Sequence, residues 1–137
     1  MPSRIIRESC RTSPSLDQLS DGAERLWWRL ITIADDHGRF DADPRVVEGN
    51  AFPLKIGRLK LSTIEKWLAE LTTDSPDGNL PLVILYEVSG RRYGFIPSWF
   101  KHQRRRESKP KFPAPEEGTL VNPKQVAAFR RNPPPLP

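Results

Sequence analysis

The sequence predicts an α+β fold, mainly helical, on three observations. An apolar stripe of helical period starts after Ser20, a second helical pattern starts near Ser62, and two β-rich runs, 82–88 and 91–97, flank the dipeptide Ser89-Gly90. In the first helix Ala23, Leu26, Trp27, Leu30, Ile31 and Ala34 recur at i, i+3, i+4, i+7, i+8 and i+11, which places them on one side of a 3.6-residue repeat. Gly38 marks its stop. Trp28 falls off the stripe, so it is either covered by flanking chain or presented to a partner. The residues before this helix, 1–19, read as an arm with Ile5 and Ile6 extended and a turn at Ser13-Pro14-Ser15.

The following elements are short. Residues 39–42 fit an edge strand, and Asp43 before Pro44 is a helix-start signal for a second helix to about Gly49. Phe52-Pro53-Leu54-Lys55-Ile56 is an apolar loop. The third helix starts at Ser62, where Ser62-Thr63-Ile64-Glu65 has capping-box spacing, and buries Ile64, Trp67, Leu68 and Leu71. Residues 73–81 form a loop. Gly90 supplies the positive φ of a tight hairpin turn, which puts Arg91 and Arg92 at its tip. The order helix, strand, helix, helix, strand, basic turn, strand is that of a winged helix-turn-helix: three helices, a β-hairpin wing and a short edge strand.

Length and composition bound the rest. At 137 residues the chain has room for one compact unit with appendages. Eight of the fifteen prolines fall in the last 28 residues, where they remove amide donors and disfavour helix and strand. We therefore expect an N-terminal arm over 1–19, the winged-helix domain over 20–100, and an extended basic then proline-rich C-terminal tail over 101–137. Asn122 and Pro123 can start a short helix at 123–131 within that tail. The single Cys10 excludes an intramolecular disulfide framework. No apolar run is long enough to span a bilayer, and a polar, basic N-terminus does not resemble a signal peptide. The expected location is cytoplasmic, with no membrane partner.

The net charge of +5 is concentrated in one place. Residues 89–112 hold Arg91, Arg92, Lys101, Arg104, Arg105, Arg106, Lys109 and Lys111 against the single acid Glu107, while the remaining chain has slightly more acids than bases. A near-neutral body with one positive segment is an electrostatic footprint for a polyanion, most often nucleic acid. Catalysis finds no comparable support. The sequence has no glycine-rich phosphate loop, no nucleophile elbow and no zinc spacing, and neither His37 nor His102 has the partners of a catalytic group. His37, at a helix end, reads as a capping or solvent-exposed residue. Asp35, Asp36, Asp41, Asp43 and Glu48 crowd together without EF-hand spacing, and with Arg39 and Arg45 among them they read as an ion-pair network. No enzyme activity, cofactor or metal is expected.

The outward face of the third helix carries Glu65, Lys66, Ala69, Glu70, Thr72 and Thr73, which is poor equipment for reading a major groove. DNA contact is instead assigned to the wing, Arg91 and Arg92; to Lys101, Arg104, Arg105, Arg106, Lys109 and Lys111; and to the loop cations Lys55, Arg58 and Lys60. Wings and arms track phosphates, so binding should be weakly sequence-specific and strongly salt-dependent. Trp99 and Phe100 either stack on unpaired bases or close the core.

Ala34-Asp35-Asp36-His37-Gly38-Arg39-Phe40, Phe52-Pro53-Leu54, Ile64-Glu65-Lys66-Trp67-Leu68 and Leu85-Tyr86-Glu87-Val88-Ser89-Gly90-Arg91-Arg92-Tyr93, leading to Trp99-Phe100-Lys101-His102-Gln103, together resemble the N-terminal domain of phage and prophage replication proteins of the replisome-organiser, DnaD-like type. The similarity covers about residues 3–113. It implies a non-catalytic winged-helix module that helps assemble a replication complex at an origin, binding DNA, sister copies or both, with a replication helicase or its loader as a further partner. The loop over 72–81 is longer than the sharp turn such domains carry. A scaffold that self-associates and recruits replication factors without touching DNA is the alternative, drawing on the acidic third helix, Trp28 and the proline-rich end; a transcriptional regulator of the same fold is another.

Overall fold

The computed structural model describes residues 3–121. The helix expected over 123–131 and the proline run behind it lie outside the described residues. The arm is more structured than its sequence indicates. A 3₁₀ turn (Glu8–Thr12) leads into the short helix α1 (Pro14–Asp17), whose N-terminus is closed by the Ser13 hydroxyl accepting from Leu16 N. Helix α2 (Asp21–Ile33) follows, capped by Ser20, and its stripe is the centre of the core: Ala23, Leu26 and Leu30 are fully buried. At roughly 1.5–3 kcal/mol per buried aliphatic side chain, Leu26 and Leu30 alone supply a sizeable part of a small domain's stability.

Helix α2 ends at Ile33, ahead of the expected stop at Gly38. The cause is Asp35, whose Oδ1 accepts from His37 N at 2.9 Å and Arg39 N at 3.0 Å and folds the chain into a turn. Gly38 sits in that turn at φ 77°, where a Cβ would lie 2.7 Å from the Trp99 side chain. Strand β1 (Arg39–Asp41) leaves the turn, and Asp43 caps helix α3 (Pro44–Ala51) by accepting from Arg45 N, as the Asp-Pro signal predicts. After a 3₁₀ turn (Pro53–Lys55), helix α4 (Leu61–Leu71) buries Ile64, Leu68 and Leu71. The expected capping box is absent. Lys60 is the N-cap without a side-chain bond, and the Glu65 carboxylate is drawn away to Arg92.

Strands β2 (Ile84–Val88) and β3 (Arg91–Phe95) form the predicted hairpin, with Ser89 at φ 52° and Gly90 at φ 79°, the two positive angles of a type I′ turn. Helix α5 (Trp99–His102) follows, and a final strand β4 (Thr119–Leu120) completes a four-stranded antiparallel sheet of order β1-β3-β2-β4. The fold of the described residues is thus mixed helix and sheet, with five helices and one antiparallel sheet.

Side chains alternate across the sheet. Leu85 and Phe40 belong to the helical core, and Arg92 reaches α4. Tyr86 and Tyr93 face the other way and are covered by a segment the sequence assigns to a free tail. The Phe112 ring lies 6.0 Å from Tyr93, Tyr86 Oη donates to Pro113 O at 2.6 Å, and Pro115 is buried. The expected boundary at residue 100 is therefore corrected: the chain continues as a strap across the outer face of the sheet and returns as β4. Prolines suit this path because a strap that bonds through its carbonyls needs few amide donors.

Candidate nucleic-acid interface

The strap is held by groups of the turn after α2. Asp35 Oδ2 accepts from Lys111 N at 2.9 Å; Asp36 Oδ2 accepts from Ser108 Oγ at 2.9 Å; the His37 Nε2–H donates to Ser108 O at 2.8 Å; and Arg39 Nη1 donates to Phe112 O at 3.1 Å. At its start, Gln103 pairs with the arm as a strand would, its Oε1 accepting from Ile5 N and its Nε2 donating to Ile5 O, both at 2.8 Å. His37 is consequently buried, not a solvent-exposed cap. Burial holds the Tyr86 phenol far above its ordinary value, so it stays protonated and donates to Pro113 throughout the physiological range.

Fixing the backbone in this way turns the side chains outward. Lys101, Arg104, Arg105, Arg106, Lys109 and Lys111 are all exposed. Arg105 lies over the Phe100 ring at 4.3 Å, and Arg106 is 4.0 Å from Asp36 while its side chain stays 44% exposed. Arg104 and Arg106 line a cleft of about 190 Å³ with Ser3 and Arg4 at its wall. Arg4 itself is taken up by Asp36 Oδ1 at 3.0 Å and Ala34 O at 3.0 Å. The Ser108 hydroxyl and the Arg4 guanidinium together hold the Asp36 carboxyl below its ordinary range, so it is ionised wherever the strap is seated.

The wing arginines differ from the strap cations. Arg92 grips both oxygens of Glu65 at 2.7 and 2.8 Å and also donates to Ala42 O, leaving its side chain 21% exposed. This two-pronged geometry joins the hairpin to α4, and a guanidinium so engaged is not offered to a phosphate. Arg92 is therefore corrected from a DNA contact to a clamp. Arg91 pairs with Asp41 at 2.8 Å but keeps 66% of its side chain exposed, which leaves it reachable. The loop cations form a separate group. Lys55 is half-buried, Arg58 donates to Leu54 O, and Lys60 is exposed, all between α3 and α4; the strap is anchored on the turn after α2.

Both acids on the outward face of α4 are engaged internally. Glu65 belongs to Arg92, and Glu70 accepts from Ser20 N and Ser20 Oγ at 2.8 Å, closing the start of α2. What α4 exposes is Leu61, Ser62, Lys66 and Ala69, with Thr73 just beyond its end, a surface with one base. Trp99 is buried, donating to Asp36 O, so it closes the core; Phe100 is half-buried under Arg105. Of the acid cluster, Asp36, Asp41 and Asp43 make ion pairs with Arg4, Arg91 and Arg45, whereas Asp35 binds backbone amides alone. Among the described residues no three His, Cys, Asp or Glu side chains converge as a metal site, and no helix is long and apolar enough to cross a membrane.

Sequence reasoning missed the anchors, Asp35, Asp36, His37, Arg39, Tyr86 and Gln103. The one local signal was Asp35 two residues before His37 and four before Arg39, the spacing of an aspartate that closes its own turn. No family model, curated protein or solved structure matches the chain.

Proposed function

We propose that the chain is a non-catalytic DNA-binding protein of winged helix-turn-helix architecture, with α3, the intervening turn and α4 as the helix-turn-helix and β2–β3 as the wing. It acts in replication initiation or its regulation and is of prophage origin, as the motif resemblance implies. One observation carries the DNA reading: five exposed cations, Arg104, Arg105, Arg106, Lys109 and Lys111, project from a strap whose backbone is pinned to the turn after α2, with Lys101 of α5 just ahead of them. Cations on a fixed backbone meet a phosphate row without first losing chain entropy, an advantage a free tail lacks.

Fluorescence anisotropy with a labelled duplex at two or more salt concentrations tests it. Each neutralised phosphate steepens the dependence of log affinity on log salt by about 0.9, so the triple variant R104A/R105A/R106A should flatten the slope by about 2 to 3. An unchanged slope removes these three residues from the interface; no duplex binding by the parent protein removes the reading. Recruitment of a protein partner is favoured by a different feature, the exposed Leu54 and Ile56 between α3 and α4 together with Leu61 at the start of α4, with Leu54 88% exposed. Light scattering separates the two: a monomer that binds duplex supports DNA contact, and an oligomer indifferent to duplex supports the scaffold.

A further inference from the structure

A concavity of about 670 Å³ lies under the arm. Native interiors are close-packed with few voids larger than a water molecule, and cavities of roughly 300–1,000 Å³ are those that take small ligands. Its floor is apolar, made by Trp27, Trp28 and Ile31 of α2 together with Leu82 and Ile96. One part of its rim is cationic, carrying Arg7 from the arm and Lys101 from α5, with His102 beside them. Among the described residues the one carboxylate in its lining, Asp77, is engaged by the Ser75 hydroxyl and by Asn79 N.

The roof is attached at its ends. On one side Arg4 and Ile5 bind Ala34, Asp36 and Gln103; on the other Ser15 bonds Ser75 and Gln18 donates to Asp74 O. Between them the hydrogen bonds of residues 6–13, among the described residues, run within the arm: Cys10 N to Arg7 O, Ser13 N to Cys10 O and Thr12 Oγ1 to Ser9 O. Such a span can lift without breaking a bond to the floor. Burial, then the Lys101 and Arg7 charges, hold the His102 imidazole below its ordinary range, so the positive charge of this rim rests on Lys101 and Arg7.

We propose that the cavity under the arm binds a small amphipathic anion, with its apolar body on Trp27, Trp28 and Ile31 and its acid group toward Arg7 and Lys101. A medium-chain carboxylate has this chemistry: a tail that leaves water for an apolar floor, and one negative charge matched to the rim. A cation with the same tail is repelled. Lys101 is shared with the DNA reading, but the test contains no nucleic acid, so the two readings fail separately.

Cys10 is the only cysteine of the chain and lines the cavity, so its alkylation by N-ethylmaleimide reports occupancy at that place. The probes are decanoate below its micellar concentration and decyltrimethylammonium, which has the same tail and the opposite charge. Decanoate should slow alkylation saturably, while decyltrimethylammonium at equal concentration leaves the rate unchanged. Arg7→Glu should weaken the decanoate effect by about tenfold, one attraction being replaced by one repulsion near the surface. Arg7→Gln, which adds no new charge to the arm, should weaken it by about threefold. No protection by decanoate, equal protection by the cation, or protection unaffected by both Arg7 variants each overturns the proposal.

Discussion

Asp35 should be the residue on which the strap depends, and its replacement is the sharpest test of the architecture. The residue is 5% exposed, and its carboxylate accepts three backbone N–H groups, those of His37 and Arg39 on Oδ1 and that of Lys111 on Oδ2. Hydrogen bonds to an ionised acceptor contribute about 1.5–3 kcal/mol each, and those sharing one acceptor group do not add fully, so Asp35→Ala should cost about 3–6 kcal/mol. Set against a total of roughly 5–15 kcal/mol for a domain, that loss brings the protein close to unfolding.

Asp35→Asn separates the two halves of this role. An amide side chain has one acceptor oxygen, which can serve the turn or the strap but not both. With the oxygen toward His37 and Arg39, the NH₂ group faces Lys111 N and the strap loses its bond. The expected cost is about 2 kcal/mol in urea denaturation, with an opening of the strap about tenfold or more easier. Trypsin reads that opening directly, because cleavage after Lys111 needs its peptide released from Asp35. Faster cleavage at this position with a modest loss of stability is the expected result. An Asn variant cleaved after Lys111 at the parental rate, with an unchanged urea midpoint, would show that Asp35 does not hold the strap.

Three further outcomes follow from individual contacts. Gly94→Ala should lower stability by about 1–3 kcal/mol in thermal denaturation, because its Cβ would lie 2.2 Å from the ring of the buried Phe40; pairing it with Phe40→Leu should recover part of the loss. Arg92→Ala should cost about 1–2 kcal/mol of stability by releasing Glu65, yet change the salt slope of duplex binding less than Arg104→Ala does. Asp36 has a folded-state pKa below its ordinary 3.8, so its contribution is complete above that value and is lost as pH falls through the lower folded value; acid titration followed by circular dichroism should show that Asp36→Asn flattens the limb below about pH 4.

How much of this was legible in the sequence depended on the range of the interaction involved. The α2 stripe, the Asp43-Pro44 helix start and the Ser89-Gly90 turn are local patterns, and each matches the structure. The Ser62-Thr63-Ile64-Glu65 pattern is equally local and misleads, because Arg92 competes for the same carboxylate from the hairpin and wins with two charge-assisted bonds. The strap was illegible for a related reason. Proline density shows that residues 108–115 avoid helix and central strand, but not that Phe112 O and Pro113 O meet Arg39 and Tyr86, partners 73 and 27 residues away. A charge run likewise reads the same whether its backbone is pinned or free. The candidate site was thus half visible: the strap cations could be named, while Arg92 could not be told from them and the charged anchors Asp35, Asp36 and Arg39 read as a local ion-pair network with nothing to point them at the strap.

The strap's two roles can be separated because they use different atoms. Its backbone carbonyls and the Lys111 amide hold the strap to the turn and the sheet, and its cationic side chains project into solvent. Replacing Arg104, Arg105 and Arg106 leaves those backbone bonds in place and removes only the partly exposed Arg106–Asp36 pair and the Arg105 contact with Phe100, so stability should stay near the parental value while the salt slope falls. Replacing Asp35 with Asn changes only the first, keeping every cation of the strap but freeing the segment that carries them. If pinning matters, this variant binds duplex more weakly than the parent at every salt concentration with a similar slope, since the number of neutralised phosphates is unchanged and only the ordering entropy is added. If affinity is instead unaltered once the strap is released, the cations act as a mobile charge cloud, and the geometry of the strap serves only to cover Tyr86 and Tyr93.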